Sequence, residues 1–369
     1  MIWYYVILSI LILPMSYALI GYVRKIEVKV LVLPICILIL AFFMSCRAIT
    51  VGADTYQYVL GFKQIAKNPW HDLFTTQIYG GGGYELNFEY GYRLYNKLIS
   101  LISNNNQAIT IANSLLIMIL LNRLINNHSP YVFLSIWLYV TLGIYQTQMN
   151  MARNAIAIFI CYISCEYIEK GNIKKFVGLI IIASLFHISS ILFMPMYWIV
   201  RNVKLTKSRI KKLLVASVCF GVGFSLVRPI LVNYLPFGFG RYFIGNTSKY
   251  ESLIIGVFHL CLLISIVMFI DKQKRKSIFE NEIIGSWMFI LEMFFFCIGF
   301  DVSSATRMAA LFGPYLIVFI PCLIDKGIES ENVRFNVIFF VVILTGVQYI
   351  IRLQINNIGS TLPYRFFWG

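Results

Sequence analysis

Apolar runs of sixteen to twenty-two residues recur along this chain, separated by polar and basic stretches. They fall at about 2–23, 28–46, 107–125, 131–147, 154–169, 211–230, 252–270, 283–300, 308–324 and 335–351. A helix needs about 20 apolar residues to cross the hydrocarbon of a bilayer. The pattern therefore predicts an all-α, polytopic integral membrane protein with about ten transmembrane helices. Pro14, Pro34, Pro314 and Pro321 lie inside the runs and should kink them, which bundle packing tolerates. The chain reads as one transmembrane domain over 1–369, with outer-face loops at about 47–106 and 229–251. In the first loop, Gly80-Gly81-Gly82-Gly83 reads as a flexible joint, and Tyr84 to Ser100 as an amphipathic interfacial helix.

The stretch 174–200 decides the topology. It is apolar throughout but carries Lys170, Lys174 and Lys175 before it and Arg201, Lys204, Lys207, Arg209, Lys211 and Lys212 after it. Read as a re-entrant hairpin turning near His187 to Ser190, it leaves the N-terminus outside. Then 19 of the 31 basic residues fall on the cytoplasmic side, against 13 for a single crossing. The excess of Lys and Arg in cytoplasmic loops favours the hairpin. In that topology the twelve outer basic residues include eight arginines: Arg47, Arg93, Arg153, Arg228, Arg241, Arg307, Arg352 and Arg365. A guanidinium fork suits phosphate recognition better than an ammonium point charge. The surplus points to an anionic ligand at the outer leaflet, although six outer acids offer a salt-bridge network instead.

Composition narrows the classes further. The 369 residues are 59% hydrophobic and 13% charged, with mean hydropathy +0.77. No soluble core hides so much apolar surface. The first run has no charge ahead of it and Arg24 and Lys25 behind it, the reverse of a cleavable signal peptide. The net charge of +15 fits cytoplasmic loops, and no nucleic-acid partner is expected. Eight cysteines show no CxxC or Cys/His cluster, and no Asp-x-Asp motif occurs, so neither disulfides nor a metal site is expected.

Several constellations carry candidate chemistry. Arg47 and Asp54 stand at a membrane boundary; a helical segment would put both on one face, as a ligand site or as a structural pair. Arg153 follows Gln146-Thr147-Gln148-Met149-Asn150 at a helix start, where free N–H groups and a guanidinium together suit an anion. Asp301 and Arg307 open a later span in a similar way, with Ser303 or Ser304 as cap, and an Asp301–Arg307 pair is the plainer reading. His187, with Ser189 and Ser190, is either a packed core residue or a proton acceptor at the hairpin tip. Glu85, Glu89 and Arg93 recur every four residues, as an ion-pair stripe or, for Glu89, a group that recognises sugar hydroxyls. Arg241 and Tyr242 sit among aromatics where a phosphate or sugar ring can be held. Glu292, inside a span, is a functional or a helix-bridging carboxylate.

Together these residues resemble the EpsG family of exopolysaccharide and O-antigen polymerase-like membrane proteins. The likeness runs through Arg47-x4-Gly52-x-Asp54-x-Tyr56, Glu89 with its following aromatics, Gln148 with Arg153 and Ala157, Phe186-His187-x-Ser189-Ser190 ahead of Pro195, Arg241-Tyr242, and Arg307 before Tyr315. Where the family commonly has a tyrosine soon after the late arginine, this chain has Met308 to Phe312. The resemblance implies a Wzy-type glycosyltransferase of GT-C-like architecture at the outer face of the bacterial cytoplasmic membrane. Its substrate would be oligosaccharide on undecaprenyl pyrophosphate, with no cofactor or metal. Membrane lipids, a chain-length regulator and a flippase are the implied partners. Asp54 or His187 would act as base, and Arg153 and Arg307 would hold the pyrophosphate. Arg47, Tyr56, Glu89, Gln148, Arg241, Tyr242 and Asp301 would line the substrate. An O-antigen ligase, a lipid-linked-sugar transporter and a structural subunit are the competing readings.

Overall fold

The computed structural model describes residues 29–234, 249–299 and 302–369, with 2–4, 7 and 12 ahead of them. Most of the first expected span, with Pro14, lies outside the described residues. So do Arg241, Tyr242 and Asp301. The described chain is helical apart from loops and two isolated β-bridges, Arg47–Phe366 and Tyr79–Glu85. Four of its helical stretches are long and apolar enough to cross a bilayer unaided: Asn106–His128, Lys207–Tyr234, Ala305–Gly327 and Glu331–Ile355. The chain divides into two compact units, Met1–Pro195 with Val342–Gly369, and Met196–Val341.

In the first unit, α1 (Lys29–Ser45) is apolar on every side and packs on α4 (Asn106–His128). Between them lie two amphipathic helices, α2 (Thr55–Lys67) and α3 (Tyr90–Ile102). Val59 and Phe62 of α2 bury against Ile109 of α4, which fixes the loop helices to the bundle. The expected span 131–147 is two helices, α5 (Val132–Thr141) and α6 (Ile144–Asn150). Gly143 breaks it at φ +78, a conformation that L side chains rarely adopt. The Arg352 guanidinium fills the space where a Cβ would stand and donates to the Leu142 carbonyl at 3.1 Å.

After α7 (Ala152–Glu169), α8 (Ile173–Phe186) stops at His187, whose backbone is extended. A 3-10 segment, Ile188–Phe193, follows, and Phe193 stacks on Phe176 near the start of α8. The chain therefore doubles back at the residues where the sequence places a turn. The second unit holds α9 (Met196–Asn202), α10 (Lys207–Tyr234), α11 (Lys249–Phe269), α12 (Ile283–Gly299), α13 (Ser303–Phe312) and α14 (Leu316–Gly327). The final helix, α15 (Glu331–Ile355), runs from this unit into the first. The expected span 308–324 is interrupted by a 3-10 turn at Gly313–Tyr315, where Pro314 lacks an N–H to continue the ladder.

Three local expectations change. Residues 46–54 are not helical: Gly52 turns at φ +88, so Arg47 and Asp54 do not share a helix face. The tetraglycine is a tied turn rather than a flexible joint, with Gly80 N–H on the Tyr84 carbonyl at 2.9 Å and Gly81 N–H on the Gln57 side chain at 3.0 Å. The amphipathic helix begins at Tyr90, leaving Glu85 and Glu89 outside it. Arg93 instead donates to the backbone carbonyls of Phe88 and Thr76 at 2.9 and 2.8 Å, so the charge stripe does not form.

Candidate active site

The first unit gathers Glu89, Arg153 and His187 from three elements. Glu89 occupies the cap position just before α3, with extended backbone and no side-chain cap bond of its own. Both carboxylate oxygens are thus free for other groups. Oε2 accepts from Arg153 Nη1 in an ion pair, and Oε1 accepts from His187 Nδ1 at 3.1 Å and from the Ile188 N–H at 3.2 Å. Arg153 lies in the first turn of α7, which the Met151 backbone separates from α6. His187 stands at the tip of the reversal, so the break in the helix delivers the imidazole to the carboxylate.

Aromatic rings hold the arginine in place. Its guanidinium lies 4.7 Å from the Phe88 ring centre, 5.6 Å from Tyr92 and 5.8 Å from Tyr58. Such cation–π contacts fix the group without neutralising it. Nη1 also donates to the Asn87 carbonyl at 3.1 Å. The cluster is sheltered but open: the side chains of Arg153, Glu89 and His187 are 18%, 16% and 30% exposed.

Electrostatics follow from this packing. Burial would raise the Glu89 carboxyl, but the His187 hydrogen bond and the Arg153 charge outweigh it and hold the group below its ordinary range. Burial pushes the Tyr58 phenol up and carries Tyr92 to about 12, so both stay protonated. An ionised Glu89 requires a proton on His187 Nδ1. In the neutral imidazole the lone pair is then on Nε2, which has no partner among the described residues. The arrangement is a carboxylate-oriented imidazole, able to accept a proton from a hydroxyl group.

A family model matches residues 30–366. The chain belongs to the EpsG family. The family suggests a membrane protein of the polysaccharide-polymerase type, and the apolar helices agree with a membrane-embedded chain. No curated protein and no solved structure matches.

The other predicted residues of this EpsG chain are placed as follows. Asp54 borders the cluster: its backbone N–H bonds the Asn150 side chain at 2.8 Å, three residues before Arg153. Tyr56 is exposed and packs on the glycine turn, where a Cβ at Gly81 would strike its ring. Gln148 is buried and accepts from the Tyr139 hydroxyl at 2.7 Å. Arg47 is 2% exposed and donates to the Met44 carbonyl, the Ser114 hydroxyl at 3.2 Å and the Met149 carbonyl at 3.1 Å. Its backbone bridges Phe366, so it ties the C-terminal segment to the bundle instead of facing a ligand.

The second unit contains Arg307, exposed on α13, near whose start Val302 and Ala305 bury against Phe224 and Ile298. Val302, not a serine, occupies the cap position of α13. Glu292 is 1% exposed and its Oε1 is hydrogen-bonded to His259 Nδ1 at 2.8 Å, the helix-bridging alternative. Asn150, Tyr58 and the Phe88 and Tyr92 rings are the site residues that the sequence did not single out. Asn150 lies within the polar run before Arg153, but its bond to the Asp54 backbone joins the end of α6 to a turn 96 residues away.

Proposed function

We propose that this protein is a glycosyltransferase that polymerises oligosaccharide repeat units carried on undecaprenyl pyrophosphate. It would work at the outer face of the bacterial cytoplasmic membrane, in O-antigen, capsule or exopolysaccharide synthesis. The observation that supports this most is the Glu89–His187 hydrogen bond, reinforced by Arg153. In the proposed reaction His187 Nε2 takes the proton of the acceptor sugar hydroxyl as its oxygen bonds the anomeric carbon. The anomeric carbon–oxygen bond to the donor breaks, and undecaprenyl pyrophosphate leaves with the electron pair. Charge developing on that pyrophosphate is best met by preformed cations in a water-poor site. Arg153 is proposed for that role from its place in the cluster, and Arg307 from the sequence resemblance alone. Between the two candidate bases, orientation by a carboxylate favours His187 over Asp54.

The test uses cells lacking the gene, complemented with full-length variants at matched abundance, and reads the polymer ladder. His187→Gln, Arg153→Lys and Arg307→Lys should each abolish polymer, whereas Asp54→Asn should retain it. A normal ladder in His187→Gln rejects the assignment of the base. Transfer of a single preformed chain to a lipid core, without polymerisation, would make the protein a ligase instead.

A further inference from the structure

The second unit carries a groove that the transfer reaction does not use. It has a volume of about 320 Å³ and lies among α10, α11 and α12. Its walls are aliphatic and aromatic, with Leu214, Leu263, Val267 and Phe289 among them. The hydroxyl in the lining, Ser286, is turned onto the protein, donating to the Phe279 and Glu282 carbonyls at 2.9 and 2.8 Å. The interior therefore offers nothing to a polar molecule. At one end stand three cations: Lys207 and Lys211, one turn apart at the start of α10, and Arg275.

Those cations are uncompensated. None of the three makes an ion pair among the described residues. Of the acids in the neighbouring sequence, Glu282 pairs with Lys326, Glu329 with Lys274, and Asp271 accepts from the Glu329 N–H, while the exposed Glu280 makes no ion pair among the described residues. Arg275 is held at the mouth by its own Nε, which donates to the Ile270 carbonyl at 2.7 Å. The two lysines are exposed and make no side-chain hydrogen bond or ion pair among the described residues. An amphipathic ligand with an anionic head and a hydrocarbon tail satisfies both halves of this groove. A free phosphate would leave the apolar length empty, and a neutral lipid would leave the cations unmatched.

We propose that this groove binds an anionic glycerophospholipid of the surrounding bilayer. One acyl chain lies between α10, α11 and α12, and the phosphate rests on Lys207, Lys211 and Arg275. Full-length protein in neutral detergent would be titrated with dioleoyl phosphatidylglycerol, dioleoyl phosphatidylcholine and undecaprenyl phosphate, and bound lipid counted by native mass spectrometry. Phosphatidylglycerol should be retained in preference to phosphatidylcholine. Lys207→Gln with Lys211→Gln should weaken its binding about 25-fold, roughly fivefold per lysine. These exposed residues support no packing, so the double variant stays folded. Leu263→Trp, which fills the groove, should exclude the chain and lower retention with the lysines intact. Equal retention of both phospholipids, or no loss in the lysine variant, overturns the proposal. Tighter binding of undecaprenyl phosphate than of phosphatidylglycerol would also overturn it and assign the groove to the carrier lipid.

Discussion

Glu89→Gln isolates the role of the carboxylate with almost no change of volume. In the native protein one oxygen takes the Arg153 ion pair and the other takes two N–H donors, His187 Nδ1 and Ile188 N. The amide keeps one acceptor oxygen but replaces the other with a donor. If its NH2 faces His187, the imidazole must accept at Nδ1 and carry its proton on Nε2. The nitrogen proposed to act as base is then blocked. Loss of general-base assistance costs about 10²–10⁴ in rate, and a wrong tautomer about 10⁴ in the serine-protease triad. The variant also loses a charge-assisted hydrogen bond in a sheltered site, about 1.5–3 kcal/mol. Some stability should therefore go, but the packing of Arg153 on three rings remains. Polymerisation of a lipid-linked repeat unit by purified variant would be timed beside its thermal melting. Nitrogen NMR of labelled histidine would show whether the proton has moved. A variant within threefold of the native rate, with the Nδ1–H tautomer unchanged, would refute the reasoning.

Three further outcomes follow from the packing. Arg47→Ala removes a buried cation with three hydrogen bonds and leaves the carbonyls of Met44 and Met149 unmet, so it should destabilise by about 3 kcal/mol. Activity and abundance should fall together, unlike Arg153→Lys; full abundance with no activity would show that Arg47 serves the reaction. Gly143→Val forces a β-branched residue into a left-handed conformation against Arg352, and a drop in melting temperature measures the strain. The Glu89 carboxyl is depressed, so its stabilisation is complete above the ordinary carboxylate value of about 4.3 and is lost as pH falls through the lower folded value. The native-minus-Glu89→Gln stability difference should shrink as pH falls below about 4.

Much of the helical pattern was legible because hydropathy sets it directly. The turn at His187 was legible for a different reason, since basic residues flank both ends of an apolar stretch too short for two crossings. The break at Gly143 was not, because it depends on an arginine 209 positions later filling the space beside the glycine. Glu85, Glu89 and Arg93 misled through their spacing, which suits a helix that starts only at Tyr90. Glu89 meets partners other than those its spacing suggests. Its true ones lie 64 and 98 residues away, and periodicity carries no sign of contacts at that range. Arg47 shows the opposite error. A charged residue at a span boundary suggests a ligand, yet neutral oxygens of the protein accept from both Nη atoms of Arg47, and only its buried Nε has no partner among the described residues.

The most direct measurement is the polymerisation rate of purified His187→Gln on a lipid-linked repeat unit, with correct folding verified by melting. Glutamine retains an N–H for Glu89 but has no basic nitrogen to take the acceptor's proton. The expected outcome is a loss of at least about 10²-fold with a native-like melting temperature. A near-native rate with an ordinary polymer ladder would contradict it and move the search for the base to Asp54.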